Sequence, residues 1–324
     1  MLSQRSVVVL SALCLAGSAF SQNNILLFEP PDATCAVGIA INDAGTTAGF
    51  FCDNRPGLHA YIRDAEGNFT KFDAPGSQDT TPGSINSSGA IVGFYFDTKG
   101  THSFLRDASG NIIPFDPPDS TQSHAYAINN AGEIAGTCNS TRGQGYIRHA
   151  DGSFVEFTVP GAISVTPHGI NARGTIVGIY NHTDGASGFV RERNGTIVTF
   201  NPPDSKVLQT VSINAGGTIA GSYFDQQSIL RGFVRGPSGN FTQLFPDHNF
   251  VSVAGINDAG AVTGNVQPSF RVGDGFVYHP DGSVRRFGPP PGSGCVALKP
   301  AGINGSGTLT GECTDPELAF LFIP

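Results

Sequence analysis

Seven copies of one short string constrain this chain more than any other feature in it. Ile-Asn, two variable residues and then Gly occur as INDAG from 41, INSSG from 85, INNAG from 128, INARG from 170, INAGG from 213, INDAG from 256 and INGSG from 303. Successive copies lie 44, 43, 42, 43, 43 and 47 residues apart, a period typical of repeat architectures whose units bury apolar surface against their neighbours. Between copies run short alternating segments such as TTAGFF or AIVGFY, then SFLRD or GFVRE, a turn such as AEGN or ASGN, then FTKFDAPG or IIPFDPPD. Each unit thus holds four strands of about five residues joined by tight turns, the content of one propeller blade. The expected fold is all-β, a seven-bladed β-propeller of four-stranded antiparallel blades.

Each recurring residue has a physical task. Asn first and Gly fourth in a four-residue turn suit a type I hairpin, because the Asn side chain bonds backbone amides and Gly tolerates the exit geometry. Asn42, Asn86, Asn129, Asn171, Asn214, Asn257 and Asn304 are therefore expected to be turn formers rather than a ring of ligands. The residue before each Ile is always small, being Ala40, Ser84, Ala127, Gly169, Ser212, Gly255 or Gly302, as crowding of innermost strands toward one axis demands. A glycine set in the second strand, Gly49, Gly93, Gly136, Gly178, Gly221, Gly264 and Gly311, is matched by a third-strand aromatic set. Those aromatics are Tyr61, Phe104, Tyr146, Phe189, Phe233, Phe276 and Phe320, and the glycines are expected to make room for them. Arg63, Arg106, Arg148, Arg191 and Arg235 recur at the end of the third strand and read as surface ion pairs with nearby Asp.

The fourth strand carries an apolar residue and, three later, usually Phe, as in Phe69/Phe72, Ile112/Phe115, Phe154/Phe157, Ile197/Phe200, Phe241/Leu244 and Val284/Phe287. That makes six, because after INGSG the chain has only TLTGEC and AFLFIP. NILLFEPPD at 24–32 supplies the seventh, with Ile25 and Phe28 at the same spacing and the same PPD after them. The first strand is thus expected to complete the last blade and close the circle, leaving no open end. Residues 1–21, with Arg5, an apolar run and a small-residue site at Ala19 and Ser21, read as a secretory signal peptide cut before Gln22. The run is too short for a permanent span, and Leu13 before Cys14 does not suit a lipoprotein signal. Residues 22–324 are then one domain, extracellular or else periplasmic or cell-surface.

Composition supports this reading and narrows the partners. The chain has 43 Gly, 22 Pro and 24 Phe, one Met and no Trp, and almost no window with helical apolar spacing. Its 18 basic and 26 acidic residues leave a formal charge of −8, which argues against nucleic acid or anionic lipid, since both need a basic patch. No membrane insertion is expected, and the protein is expected to be a monomer. GxGxxG, P-loop and Gly-x-Ser-x-Gly patterns are missing, as are HxxxH and Cx2C spacings, so no cofactor and no metal are expected.

An exported chain pairs the cysteines it can. Cys35 and Cys52 lie at equal distances on either side of the turn at 42, so a hairpin places them opposite one another. Cys295 and Cys313 flank the turn at 304 in a similar, offset way, and both bridges are expected. Cys138 has Ser123 near its mirror position and is expected to be a lone buried thiol.

Residues present in every unit serve the architecture, so chemistry belongs where one unit departs from the rest. Four residues before each Ile stand Val37, Thr81, His124, Thr166, Gln209, Ser252 and Lys299, and two before stand Ile39, Gly83, Tyr126, His168, Val211, Ala254 and Ala301. In a propeller these line the mouth of the central channel. His124, Tyr126 and His168 belong to neighbouring units three and four and are expected to converge there. Loops between second and third strands open on the same face and add Asp53, Arg55, Asp97, Arg142, His182, Asp225 and Asp315. The candidate ligand-binding set is His124, Tyr126, His168, Gln209, Lys299, Arg142, His182 and Asp225.

The strings HAYIRD at 59 and HSFLRD at 102, with GIN or SIN turns and FD-PG endings, resemble the HAF-repeat extracellular proteins of bacteria, over essentially all of 24–324. The resemblance implies a secreted β-propeller-like protein and brings no catalytic residues. The expected function is binding of an extracellular glycan or protein through the channel-mouth face. The alternatives are a hydrolase or lyase using His124, His168 or a rim Asp on an extracellular polymer, and a purely structural envelope protein.

Overall fold

The structure, a computed structural model, describes residues 24–140, 144–267 and 274–324. The expected export segment at 1–21 and Arg142 lie outside them. Among the described residues there are 28 strands and no helix. Each unit begins with its innermost strand just before an Ile-Asn turn, as in Cys35–Ile41, Thr47–Cys52, His59–Arg63 and Phe69–Phe72 of the first, all antiparallel and paired in sequence order. The same four-strand order recurs along the chain. Units four, five and six are joined at their edges by single parallel pairings, Ala186 with Val207 and Leu230 with Phe250, a link the repeat did not foretell. It arises where the nine-residue strand Ser205–Ile213 and the strand Phe250–Ile256 begin alongside the preceding third strand.

The last sheet runs Ala297–Ile303, Leu309–Thr314, Leu318–Phe322 and then Ile25–Phe28. The opening strand pairs Ile25 with Phe322 and Phe28 with Ala319. Ile25 and Leu27 pack into the cluster around Phe320 and Phe322, and Phe28 into that around Phe51 and Tyr61 of the first unit.

Units meet through three repeated contacts. The first is the glycine–aromatic match, which is as expected: Gly178 faces Phe189 across the ladder, and a Cβ there would lie 2.6 Å from the Phe189 ring and 2.3 Å from the Thr166 carbonyl oxygen. The third-strand aromatic then meets the outer Phe of the preceding unit. Phe28–Tyr61, Phe72–Phe104, Phe115–Tyr146, Phe157–Phe189, Phe200–Phe233, Phe245–Phe276 and Phe287–Phe320 have centroids 4.8–6.5 Å apart. In unit five the ring comes from Phe245, one residue past Leu244, turned in through a φ of 47°.

The second contact corrects the arginine expectation. Among the described residues none of Arg63, Arg106, Arg148, Arg191 and Arg235 forms an ion pair. Each guanidinium lies 4.9–5.2 Å from the ring of the preceding unit's outer Phe, from Phe28 through Phe200. Arg63 and Arg191 are buried. The ring quadrupole holds a cation there without the cost of ordering an exposed pair, at about 0.5–2 kcal/mol each.

The third contact extends the turn role of Asn. As expected, each Asn oxygen accepts the amide four residues on, for instance Thr46 N to Asn42 Oδ1 at 3.0 Å, and Gly45 closes the turn on the Asn42 carbonyl at 3.0 Å. Each Asn side chain also donates to the backbone carbonyl of the next unit's Asn: 42 to 86, 86 to 129, 129 to 171, 171 to 214, 214 to 257, 257 to 304, and 304 back to 42, at 2.9–3.3 Å. All seven are buried, so their amides need these partners.

Both expected disulfides are present. Cys35 pairs with Cys52 directly across the hairpin. Cys295 bonds Cys313 from the lead-in before the strand, because Leu298 takes the ladder position opposite Cys313. Loops of this size lend about 3 kcal/mol each on chain-entropy grounds. Cys138 is in no disulfide among the described residues and is buried, and burial pushes its thiol up.

Candidate functional site

The innermost strands enclose a cavity of about 510 Å³, lined by their C-terminal halves from all seven units. Its volume lies within the roughly 300–1,000 Å³ of small-molecule sites. No lining residue carries a formal charge at neutral pH; the wall is Ile, Ala, Gly, Pro, Val, Ser and Thr, interrupted by Tyr126 and His168.

Those two residues enter the cavity for a backbone reason. In units one, two, three, four, six and seven the ladder between first and second strands skips one residue, two before the Ile. In unit three that residue is Tyr126, between Ala125 and Ala127, and in unit four it is His168, between Pro167 and Gly169. A bulged residue leaves the ladder and re-aims its side chain. In unit five the shift moves outward to Gln209, between Leu208 and Thr210. Position two before the Ile is thus where the scaffold offers a side chain to the channel, and most units place Gly, Ala or an aliphatic there.

Three of the candidates converge. His124 and Tyr126 stack with centroids 5.9 Å apart and planes 8° from parallel, and Tyr126 and His168 stand 6.5 Å apart at 11°. The repeat logic missed two further rings. Phe94, on the second strand of unit two, lies 4.8 Å from His124 and 6.4 Å from Tyr126, and Phe96, 38% exposed, lies 5.9 Å from Phe94. Their signal was the alternation in GFYFD, legible only once unit two was known to abut unit three. Among the described residues no hydrogen bond ties the side chain of His124, Tyr126 or His168, so their polar tips face open space.

Burial lowers the pKa of His124 and raises that of Tyr126. The crowding of the other innermost strands lowers His168 as well, from its ordinary 6.5 toward about 4, although the ring is exposed to the channel and the solvent there offsets part of the shift. An unfolded chain would take up this proton near pH 6.5 and the folded one only near 4. The stabilisation is therefore full above pH 6.5 and is lost as pH falls through that window. The ring still touches channel water, so the effect is a fraction of that for full burial. Thermal melts at about pH 7 and about pH 4.5 should show wild type losing more stability on acidification than His168→Ala; equal losses would place the ring in ordinary solvent.

The other described candidates, Gln209, Lys299, His182 and Asp225, are not among the cavity's lining residues, and His124 touches the site only through Tyr126 and Phe94. Gln209 is exposed, and Lys299 is exposed with its ammonium 3.5 Å from Glu312. His182 bonds Ser187 at 2.9 Å. Asp225 is 5% exposed; burial pushes its carboxyl up, but the Ile229 amide, the Arg231 guanidinium and the Gln227 amide outweigh this and hold it below the usual range. Its bonds to Arg231 and to both amides span 2.8–2.9 Å, leaving it a loop-fixing role.

The histidines of the two HA/HS strings have a similar task. His59 sets Nδ1 3.0 Å from Asp73 with Asp53 3.7 Å from Nε2, and His102 sets Nδ1 2.7 Å from Asp116 with Asp97 3.4 Å from Nε2. The Asp at Nδ1 comes from the FD that follows each His by fourteen residues, which links the two halves of the repeated string. In unit four Ser187 and Asn201 replace the pair, bonded at 2.8 Å. Among the described residues no group of three or more His, Cys, Asp or Glu is gathered as a metal would need, and no helix is long and apolar enough to cross a membrane.

No protein family's sequence profile matches the chain, and no curated protein matches it. Solved structures do. Virginiamycin B lyase from Staphylococcus aureus superposes with a TM-score of 0.62 at 14% identity, covering 93% of this chain and 99% of that one. The Dos1 propeller gives 0.57 at 14% over 90% and 93%. The chain folds as a β-propeller. YCF48 bound to D1 peptide gives 0.61 at 13% over 94% and 99%. At such identities these neighbours speak for the propeller fold alone, and the site must be argued from its own side chains.

Proposed function

We propose that this is an exported, monomeric, seven-bladed β-propeller that binds an extracellular glycan or protein at its channel mouth. The returning Asn304 to Asn42 bond and the pairing of the first strand with the last support seven blades closed by the N-terminal strand. Two disulfides fit an oxidising compartment. The strings at 59 and 102 keep the HAF-repeat resemblance within this reading.

One observation carries the binding assignment: three near-parallel rings from adjacent blades, with unbonded polar tips, two of which, Tyr126 and His168, line a cavity whose other wall positions are small, aliphatic or hydroxyl-bearing. Binding is favoured over hydrolase or lyase chemistry because, among the described residues, the cavity wall sets no carboxylate, cysteine or lysine beside Tyr126 and His168. The test is the combined variant His124→Thr, Tyr126→Ala and His168→Ala, which installs residues that other blades carry at these positions. Its melting temperature should stay close to wild type. Saturation-transfer NMR against a mixed set of neutral and charged oligosaccharides, capped peptides and small aromatics should find a ligand whose affinity falls about tenfold or more in the variant, about 1.4 kcal/mol. A folded variant that binds every member as wild type does would remove this mouth as the site.

A further inference from the structure

We propose that the mouth recognises the uncharged end of an oligosaccharide, entering the channel terminus first. This rests on the channel-mouth reading above and narrows its ligand. The first support is the absence of charge on the wall. Anionic or cationic sugars would leave water with no counter-charge to meet them, and so would the free terminus of a peptide, because an unpaired charge in such a site is costly. A neutral glycan end brings no charge with it.

The second support is the mixture of faces and donors. A pyranose has a flat C–H face and a rim of hydroxyls. The near-parallel rings of Tyr126 and His168 offer faces for the first. For the second, the wall offers the hydroxyls of Ser84, Ser212 and Ser252. Tyr126 and His168 bring a hydroxyl and imidazole nitrogens to the same wall. A purely aromatic ligand would leave these polar groups unmatched, and each one taken from water without a partner weakens binding.

The third support is the floor. Isoleucines from all seven turns line the cavity, and five of them, Ile41, Ile85, Ile128, Ile256 and Ile303, also line a second cavity of about 180 Å³ on the Asn-turn side. This apolar collar is shared by the two spaces, and under the proposal it is the floor against which an inserted chain end rests.

The probes are cellohexaose, maltohexaose and N-acetylchitohexaose as neutral chains, with hexagalacturonate and fully deacetylated chitohexaose as charged counterparts, measured by calorimetry and saturation-transfer NMR. At least one neutral hexamer should bind wild type, with saturation strongest on one terminal sugar. Charged counterparts should bind about tenfold or more weakly, Tyr126→Ala should cost about tenfold, and Tyr126→Phe should cost less than Tyr126→Ala, because it keeps the ring face and loses only the hydroxyl. Failure of every neutral hexamer to bind, even saturation along the chain, or equal binding of charged chains would overturn the proposal. A capped peptide whose binding depends on the three rings, with no sugar bound, would overturn the sugar assignment and leave the mouth as the site. No ring-dependent ligand at all would remove both.

Discussion

Deleting residues 22–32 is expected to lower the melting temperature by on the order of 10 °C and to make the protein aggregate. The segment contributes the outer strand of the last sheet, pairing Ile25–Phe28 with the strand that ends the chain. Ile25, Leu27 and Phe28 are half-buried, so each supplies part of the 1.5–3 kcal/mol of a fully buried side chain, about 4 kcal/mol together. Their loss also uncovers Phe320 and Phe322, now fully buried, and takes Phe28 from beneath the Arg63 guanidinium 4.9 Å away. The exposed edge of Leu318–Phe322 would present unpaired N–H and C=O groups to other chains. A truncated chain that melts with the full one and stays monodisperse would show that the first strand is not a clasp.

Gly178→Ala should cost about 3 kcal/mol or more, at the upper end of overpacking penalties. The new methyl would stand 2.3 Å from the Thr166 carbonyl oxygen and 2.6 Å from the Phe189 ring, and neither can withdraw without moving a strand or a blade contact. Gly169, across the hairpin, is the control. A Cβ there meets the Ile213 Cγ2 methyl at 3.3 Å and the Ile213 amide at 3.7 Å, a shift of a few tenths of an ångström at most, and other units carry Ala or Ser at that position. Gly169→Ala should therefore stay within about 1 kcal/mol of wild type, helped by reduced freedom of the unfolded chain. Chemical denaturation of the two variants checks both values, and equal costs would mean that the glycine set does not exist to admit the aromatics.

These two cases also mark what was legible. The glycine and aromatic sets were readable because they face each other within one hairpin, at a separation the repeat itself displays. The same holds for Cys35 with Cys52 and for the strand content. The channel-mouth trio was found by departure from the repeat, although the bulge that turns Tyr126 and His168 inward left no mark of its own in the string. Asp225 misled for a related reason: a loop Asp looks solvated until Arg231 and two amides are seen to enclose it.

By itself the sequence determined the unit: its four strands, its turns, its disulfides and the need for a borrowed last strand, since alternation, turn chemistry and spacing act within some twenty residues. Only the tertiary structure decided how one unit meets the next. A strict repeat reads the same whatever the angle between its copies, so nothing local says that the Asn42 amide will reach the Asn86 carbonyl, that Arg106 will lie over Phe72, or that Phe94 will touch His124. Those contacts span about one period of chain and exist only after ring geometry has brought neighbouring blades together. The candidate site is one of them.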